Sequence, residues 1–161
     1  LKRPADADKM TTNFPTAPSA YGLNGPSAPV TVEKSPHASH TEILTPPSLE
    51  AWYRQRAREV FARRLAELAP RLPWLSALPD FRLLNMRTQW GSCSPSGELV
   101  LNPQLVKAPR VCIDYVINHE LCHLREQNHS PAYYRLLDSV MPDWAKHKAL
   151  LDSLAEVLLN R

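Results

Sequence analysis

The sequence predicts an α+β fold in which helices pack on a small antiparallel hairpin. Three observations carry that prediction. Apolar residues recur at three- and four-residue steps in segments beginning near Leu49, Pro109, Pro131 and Pro142. Between Phe81 and Asn102 the period shortens to that of strands, and Ser94-Pro95-Ser96-Gly97 supplies a tight turn in the middle. A chain of 161 residues with 43% hydrophobic content suffices for one domain with a true core.

Residues 1–48 stand apart. They are rich in Pro, Ala, Ser and Thr, as in FPTAPSAYGLNGPSAPV, and hold no persistent period, so they read as a flexible leader before a domain at 49–161. His37 and His40 fall in that leader and are set aside as ligands, because a metal site needs donors held by a scaffold. No apolar run of membrane length and no secretory pattern is visible. Three cysteines, Cys93, Cys112 and Cys122, without CxxC spacing argue against a disulfide framework, and a cytoplasmic location is expected.

Ser48 is placed to cap the first helix, SLEAWYRQRAREVFARRLAELAPR, whose predicted apolar face is Leu49, Trp52, Tyr53, Val60, Phe61, Leu65 and Leu68. The helix is expected to end near Ala69-Pro70. Charge is uneven here: residues 49–71 hold six Arg against three Glu, while residues 1–48 balance at four of each sign and residues 72–161 at nine each. The net +3 of the chain therefore lies in this helix, which reads as a solvated face or as a contact for nucleic acid. FRLLNMRTQWGSC and ELVLN follow as the two strands of the hairpin, and NPQLVKAP as a short turn or helix.

The next helix, PRVCIDYVINHELCHLREQ, carries the chemistry. Residues four apart on a helix differ by about 40° and lie one turn along the same face, so His119 and His123 can aim at one point. Such a pair supplies two of the three protein ligands of a catalytic zinc. Glu120, roughly 100° around, is too far round to be a third ligand but can reach a water, which makes it the candidate general base. With six His and nine Glu in the chain, HExxH arises in roughly one shuffled sequence per hundred. Ile113, Val116, Ile117, Leu121 and Leu124 give the helix a hydrophobic side, so the histidine side need not be the core side.

His129 is the third candidate ligand, but it lies about 240° off the ligand direction if the helix continues. A turn at Gln127-Asn128 is expected to bring it back, with Ser130-Pro131 capping the following helix. HExxHxxxxxH is also the metzincin spacing, HExxHxxGxxH. Glu126 stands here where that group needs a sharply turning glycine, and Met141 before Pro142 reads as a core residue.

RTQWGSCSPSGELVLNPQL, PRVCIDYVINHELCHL, NHS and MPDW together resemble the YgjP-like metallopeptidase family, relatives of the SprT-like and Spartan proteases. The likeness covers about residues 81–151, and is weaker over 49–71. It implies a compact zincin-like domain with His119, His123 and His129 binding zinc and Glu120 activating water on a protein or peptide substrate. Tyr133-Tyr134 stands where the family commonly has an aromatic pair ending in Trp. The family's β-rich segment ahead of the first helix is not recognisable in residues 1–48. Trp90-Gly91-Ser92-Cys93 matches the family's WGSC segment, where a zincin strand pairs with extended substrate; Trp90 filling the core and Gly91 permitting close packing is the plainer alternative. Tyr133, Tyr134, His147 and Arg87 are the candidates to stabilise an oxyanion. Cys93 and Cys122 read as inert thiols near the site.

Two other readings compete with the peptidase. One is a DNA-associated protease or a binding domain that uses the arginine-rich helix. The other is a structural zinc protein, which Glu120 argues against because closed four-ligand sites have no use for a base. No membrane partner is expected, and the sequence does not specify an oligomeric state.

Overall fold

The computed structural model describes residues 45–159. Its elements are α1 (Leu49–Leu68), β1 (Phe81–Leu83), β2 (Gly91–Cys93), β3 (Leu99–Leu101), α2 (Arg110–Cys122), α3 (Pro131–Val140) and α4 (Trp144–Leu158), with 3-10 turns at Ala69–Arg71 and Pro103–Lys107. The fold is α+β: four helices and a three-stranded mixed sheet. Apart from residues 45–48, the expected leader, with His37 and His40, lies outside the described residues.

Ser48 caps α1, its Oγ accepting from the Ala51 N–H at 3.1 Å. Burial begins at Ala57 and continues through Phe61, Leu65 and Leu68, whereas Leu49 and Trp52 are 70% and 51% exposed. The predicted apolar face is thus too long at its start. Helical spacing marks which side can be buried, not how far along the helix its partners reach. The arginine face is corrected as well. Arg64 is buried and grips Asp114 of α2 with both fork nitrogens, Nε to Oδ1 at 2.7 Å and Nη2 to Oδ2 at 3.0 Å, with Glu67 on Nη1. Arg54 donates to the Leu83 carbonyl at 2.8 Å. Part of the presumed solvated or nucleic-acid-binding face therefore holds the fold together.

The predicted hairpin forms between β2 and β3, which pair antiparallel with Gly91 opposite Leu101 and Cys93 opposite Leu99. Its turn is the expected one, and Gly97 takes φ +91°, which a side chain would resist. The long first strand divides, however. Residues 81–83 become β1, which pairs parallel to β3, so the sheet order is β1-β3-β2 and not a simple hairpin. The intervening loop is tied down by buried Asn102, whose Nδ2 donates to the carbonyls of Met86 (2.8 Å) and Gln89 (2.9 Å) while Oδ1 accepts from the Gln104 N–H.

α2 is the central element, touched by α1, α3, α4 and β2. Cys112, Ile113 and every residue from Tyr115 to Cys122 are buried. The expectation that the histidine side stays clear of the core is therefore corrected: β2 and α3 cover it. Ser130 caps α3 as predicted, accepting from the Tyr133 N–H, and α4 begins at Trp144, two residues after the expected Pro142.

Candidate metal centre

His119 and Glu120 occupy the last turn of α2, and His123 is its C-cap residue, still with helical φ −66° and ψ −19°. The helix ends at Cys122 and does not continue to Gln127. The turn back begins at residues 123–125, where Leu124 N–H reaches Leu121 O at 3.2 Å and Arg125 N–H reaches Cys122 O at 3.1 Å. That three-residue pattern tightens the chain after Cys122, and the chain bends again at Asn128, whose carbonyl accepts from the Ser130 N–H at 2.8 Å. The turn places His129 against the helix, with Nε2 of His129 and Nε2 of His119 3.2 Å apart.

The ligand atoms of His119, His123 and His129 all lie within 4.8 Å of one another, a group able to hold a metal ion. Two nitrogens bound tetrahedrally to zinc at 2.0–2.1 Å would be about 3.3 Å apart, so the 3.2 Å pair fits a shared cation. Protonation agrees. Burial, then the neighbouring histidines, hold His119 well below the ordinary imidazole range; burial lowers His123, and burial with His123 lowers His129. Neutral rings offer lone pairs. His123 Nδ1 lies 3.1 Å from the Glu126 carbonyl, which accepts an Nδ1 proton and leaves Nε2 as the donor to a metal. Gln127 Nε2 donates to the His123 carbonyl at 2.6 Å and steadies the same turn.

Aromatic rings wall the cluster. Tyr133 stacks on His123 with centroids 4.6 Å apart at 25°, and its hydroxyl donates to the His119 carbonyl at 2.9 Å. The Tyr133 hydroxyl is thereby tied to the end of the helix. Tyr134 lies 6.3 Å from the His129 ring and stacks on Trp144. Tyr115, four residues before His119, meets its ring edge-on at 5.7 Å. Sequence reading missed Tyr115, although the i,i+4 spacing was available to find it.

Glu120 is 2% exposed, and burial pushes its carboxyl up to about 8. Gly91 of β2 lies directly against it: a Cβ there would meet Glu120 Cγ and Oε1 at 3.1 Å. Gly91 thus serves close packing, as the plainer reading of WGSC has it, and does so at the candidate base. Trp90 is buried in the core. Arg87 is exposed in the loop before β2, and His147 on α4 uses its carbonyl to accept from Cys112 Sγ. Burial and Glu120 push the Cys93 thiol to about 11, and burial takes Cys122 to about 12, so both remain protonated at neutral pH.

A family model described as YgjP-like, metallopeptidase domain, matches residues 27–154. The match starts inside the segment that composition reads as a leader, ahead of the resemblance visible over 49–71 and 81–151. No curated protein sequence matches the chain. Among solved structures, the metallopeptidase zymogen abylysin of Pyrococcus abyssi is similar with a TM-score of 0.47 and 20% identity, over 65% of this chain and 96% of that one. The zymogen jannalysin of Methanocaldococcus jannaschii gives 0.44 and 18%, over 58% and 90%.

Proposed function

The chain belongs to the YgjP-like metallopeptidase family, and from that premise we propose that His119, His123 and His129 hold a catalytic zinc ion while Glu120 is the general base. The observation that supports this most is the convergence of three imidazoles held neutral by burial, with the carboxyl of the adjoining Glu120 buried and its proton affinity raised. Zinc in such a site supplies Lewis-acid polarisation of a carbonyl and brings water toward a pKa of about 7.

The protein's own groups do the rest. β2 is an edge of the sheet among the described residues, and Gly91 brings that edge against Glu120. An extended peptide adding to β2 would place its carbonyl beside the base, with main-chain hydrogen bonds fixing its register. Glu120 takes a proton from the attacking water and returns it to the leaving amine. Both transfers need a carboxyl with affinity for a proton near neutrality, which burial provides and an adjacent cation moderates. Tyr134, beside His129, is the hydroxyl we assign to the developing oxyanion, since that of Tyr133 is committed to His119. The elements of residues 49–158 belong to a peptidase unit whose family match begins at residue 27, acting on peptide or protein in the cytoplasm.

The experiment is metal content and peptide hydrolysis of wild type and His129→Ala. The variant should bind zinc more weakly than the roughly 10–100-fold loss typical of outer-shell partners, and should lose hydrolysis. Equal tight binding by both proteins removes His129 from the site.

A further inference from the structure

We infer that Trp74, in the segment between α1 and β1, is a positioning residue for the metal centre. It grips the turn that carries His123 on both sides, at the Leu121 carbonyl and at the Arg125 side chain, and so sets the direction of that imidazole. The inference deepens the zinc reading and rests on it. The need for such a residue follows from the way α2 ends. In a continuous helix the His119 carbonyl would accept from the His123 N–H, and the Leu121 carbonyl from the Arg125 N–H. Here the His123 N–H turns to the Glu120 carbonyl at 3.1 Å and the Arg125 N–H to that of Cys122 at 3.1 Å, so other donors must meet those carbonyls.

Side chains supply them. The Tyr133 hydroxyl donates to His119 O, Trp74 Nε1 to Leu121 O at 3.1 Å, and Gln127 Nε2 to His123 O. Leu121 O also holds the Leu124 N–H at 3.2 Å, and the indole takes its second lone pair. Trp74 differs from the other two in origin. Tyr133 and Gln127 belong to the chain into which the turn leads, whereas Trp74 lies 47 residues before Leu121 and is fixed to the core independently. Leu72 is buried, Leu75 packs against the core, and the Leu75 N–H closes a turn on the Leu72 carbonyl at 3.1 Å. That turn presents the indole to α2. The Arg125 guanidinium lies 5.9 Å from the ring centre, within cation–π reach. Leu121 and Arg125 stand two residues to either side of His123, so one indole spans the backbone of the ligand. Three-residue turn bonds have poor geometry, and a metal ligand must be held to within about 0.5 Å; an anchor from a distant element supplies what the turn's own bonds lack.

The test is the zinc affinity of the full chain, measured by competition with a chromophoric chelator at a temperature where circular dichroism shows wild type and Trp74→Phe equally folded. Phenylalanine keeps a ring beside Arg125 and removes the indole N–H. The variant should bind zinc about tenfold more weakly, at the lower end of what partners behind the ligands contribute. Its kcat should fall while KM stays, the mark of an interaction expressed in the transition state. A residue that only added to folding stability would leave zinc affinity in the folded protein unchanged. A second measurement needs no variant. Linkage requires zinc to strengthen the indole bond by the factor by which the bond strengthens zinc binding, so saturating zinc should slow solvent exchange of the Trp74 indole proton, read by NMR, about tenfold. Equal zinc affinity in the folded variant, or an exchange rate indifferent to zinc, would overturn the inference. A wild type that binds no zinc would instead overturn the zinc reading beneath it.

Discussion

Glu120→Gln should make the protein inactive and, without metal, more stable. Glutamine keeps the shape of the side chain but takes no proton, so kcat should fall about 10²–10⁴-fold. The stability change follows from burial, which moves the carboxyl from 4.5 to about 8. A group raised above its unfolded value contributes fully below pH 4.5, and that contribution is lost as pH climbs toward 8. At about 1.4 kcal/mol per pH unit, the cost of ionising Glu120 at pH 7 is on the order of 3 kcal/mol, and glutamine escapes it. Urea denaturation of chelator-treated wild type and variant at pH 5, 6, 7 and 8 measures the gap. It should be small at pH 5, widen to pH 8 and then level. Saturating zinc should narrow it, since a neighbouring cation favours the carboxylate. A gap independent of pH, or a wild type more stable at pH 7, refutes the reasoning.

Gly91→Ala should lower kcat and destabilise by about 1–3 kcal/mol, because the new methyl meets Glu120 at 3.1 Å and Val116 Cγ1 at 3.2 Å; steady-state kinetics and thermal melts will check both. Asp114→Ala should cost about 1.5–3 kcal/mol by leaving Arg64 with Glu67 as its one carboxylate, with a further Arg64→Met change recovering part of it in a double-mutant cycle. Tyr133→Phe should lose roughly 1 kcal/mol with its bond to the His119 carbonyl yet retain zinc and most turnover; an inactive variant would put the oxyanion role on Tyr133.

What the sequence made legible follows the range of the forces involved. His119, Glu120 and His123 are related by helix geometry, and Ser48, Gly97 and Ser130 by local capping and turn chemistry, so each is readable from its neighbours. His129 was nameable, and the chain does bend at Asn128 where a turn was expected, but the tighter turn at 123–125 ahead of it is held by carbonyl contacts and by Gln127 rather than by a characteristic residue type. Long-range pairings were not legible. Nothing near Phe81 announces a parallel partner at Leu99, and nothing separates Arg64 from the exposed arginines beside it until Asp114, fifty residues away, is in place. The covering of the histidine face belongs to the same class, since β2 reaches it from another part of the chain.

The end of α2 at Cys122 has an electrostatic consequence. Peptide dipoles along a helix sum to a partial negative charge at its C-terminus, and His119 lies in that last turn with His123 as its C-cap. A cation at their nitrogens meets a favourable field of about 0.3–1 kcal/mol per charge before any ligand bond is counted, and an anion there meets the opposite. Had the helix run on to Gln127, that negative pole would lie a turn beyond the histidines. Stopping it early therefore brings its own backbone into the selection of what charge the centre accepts.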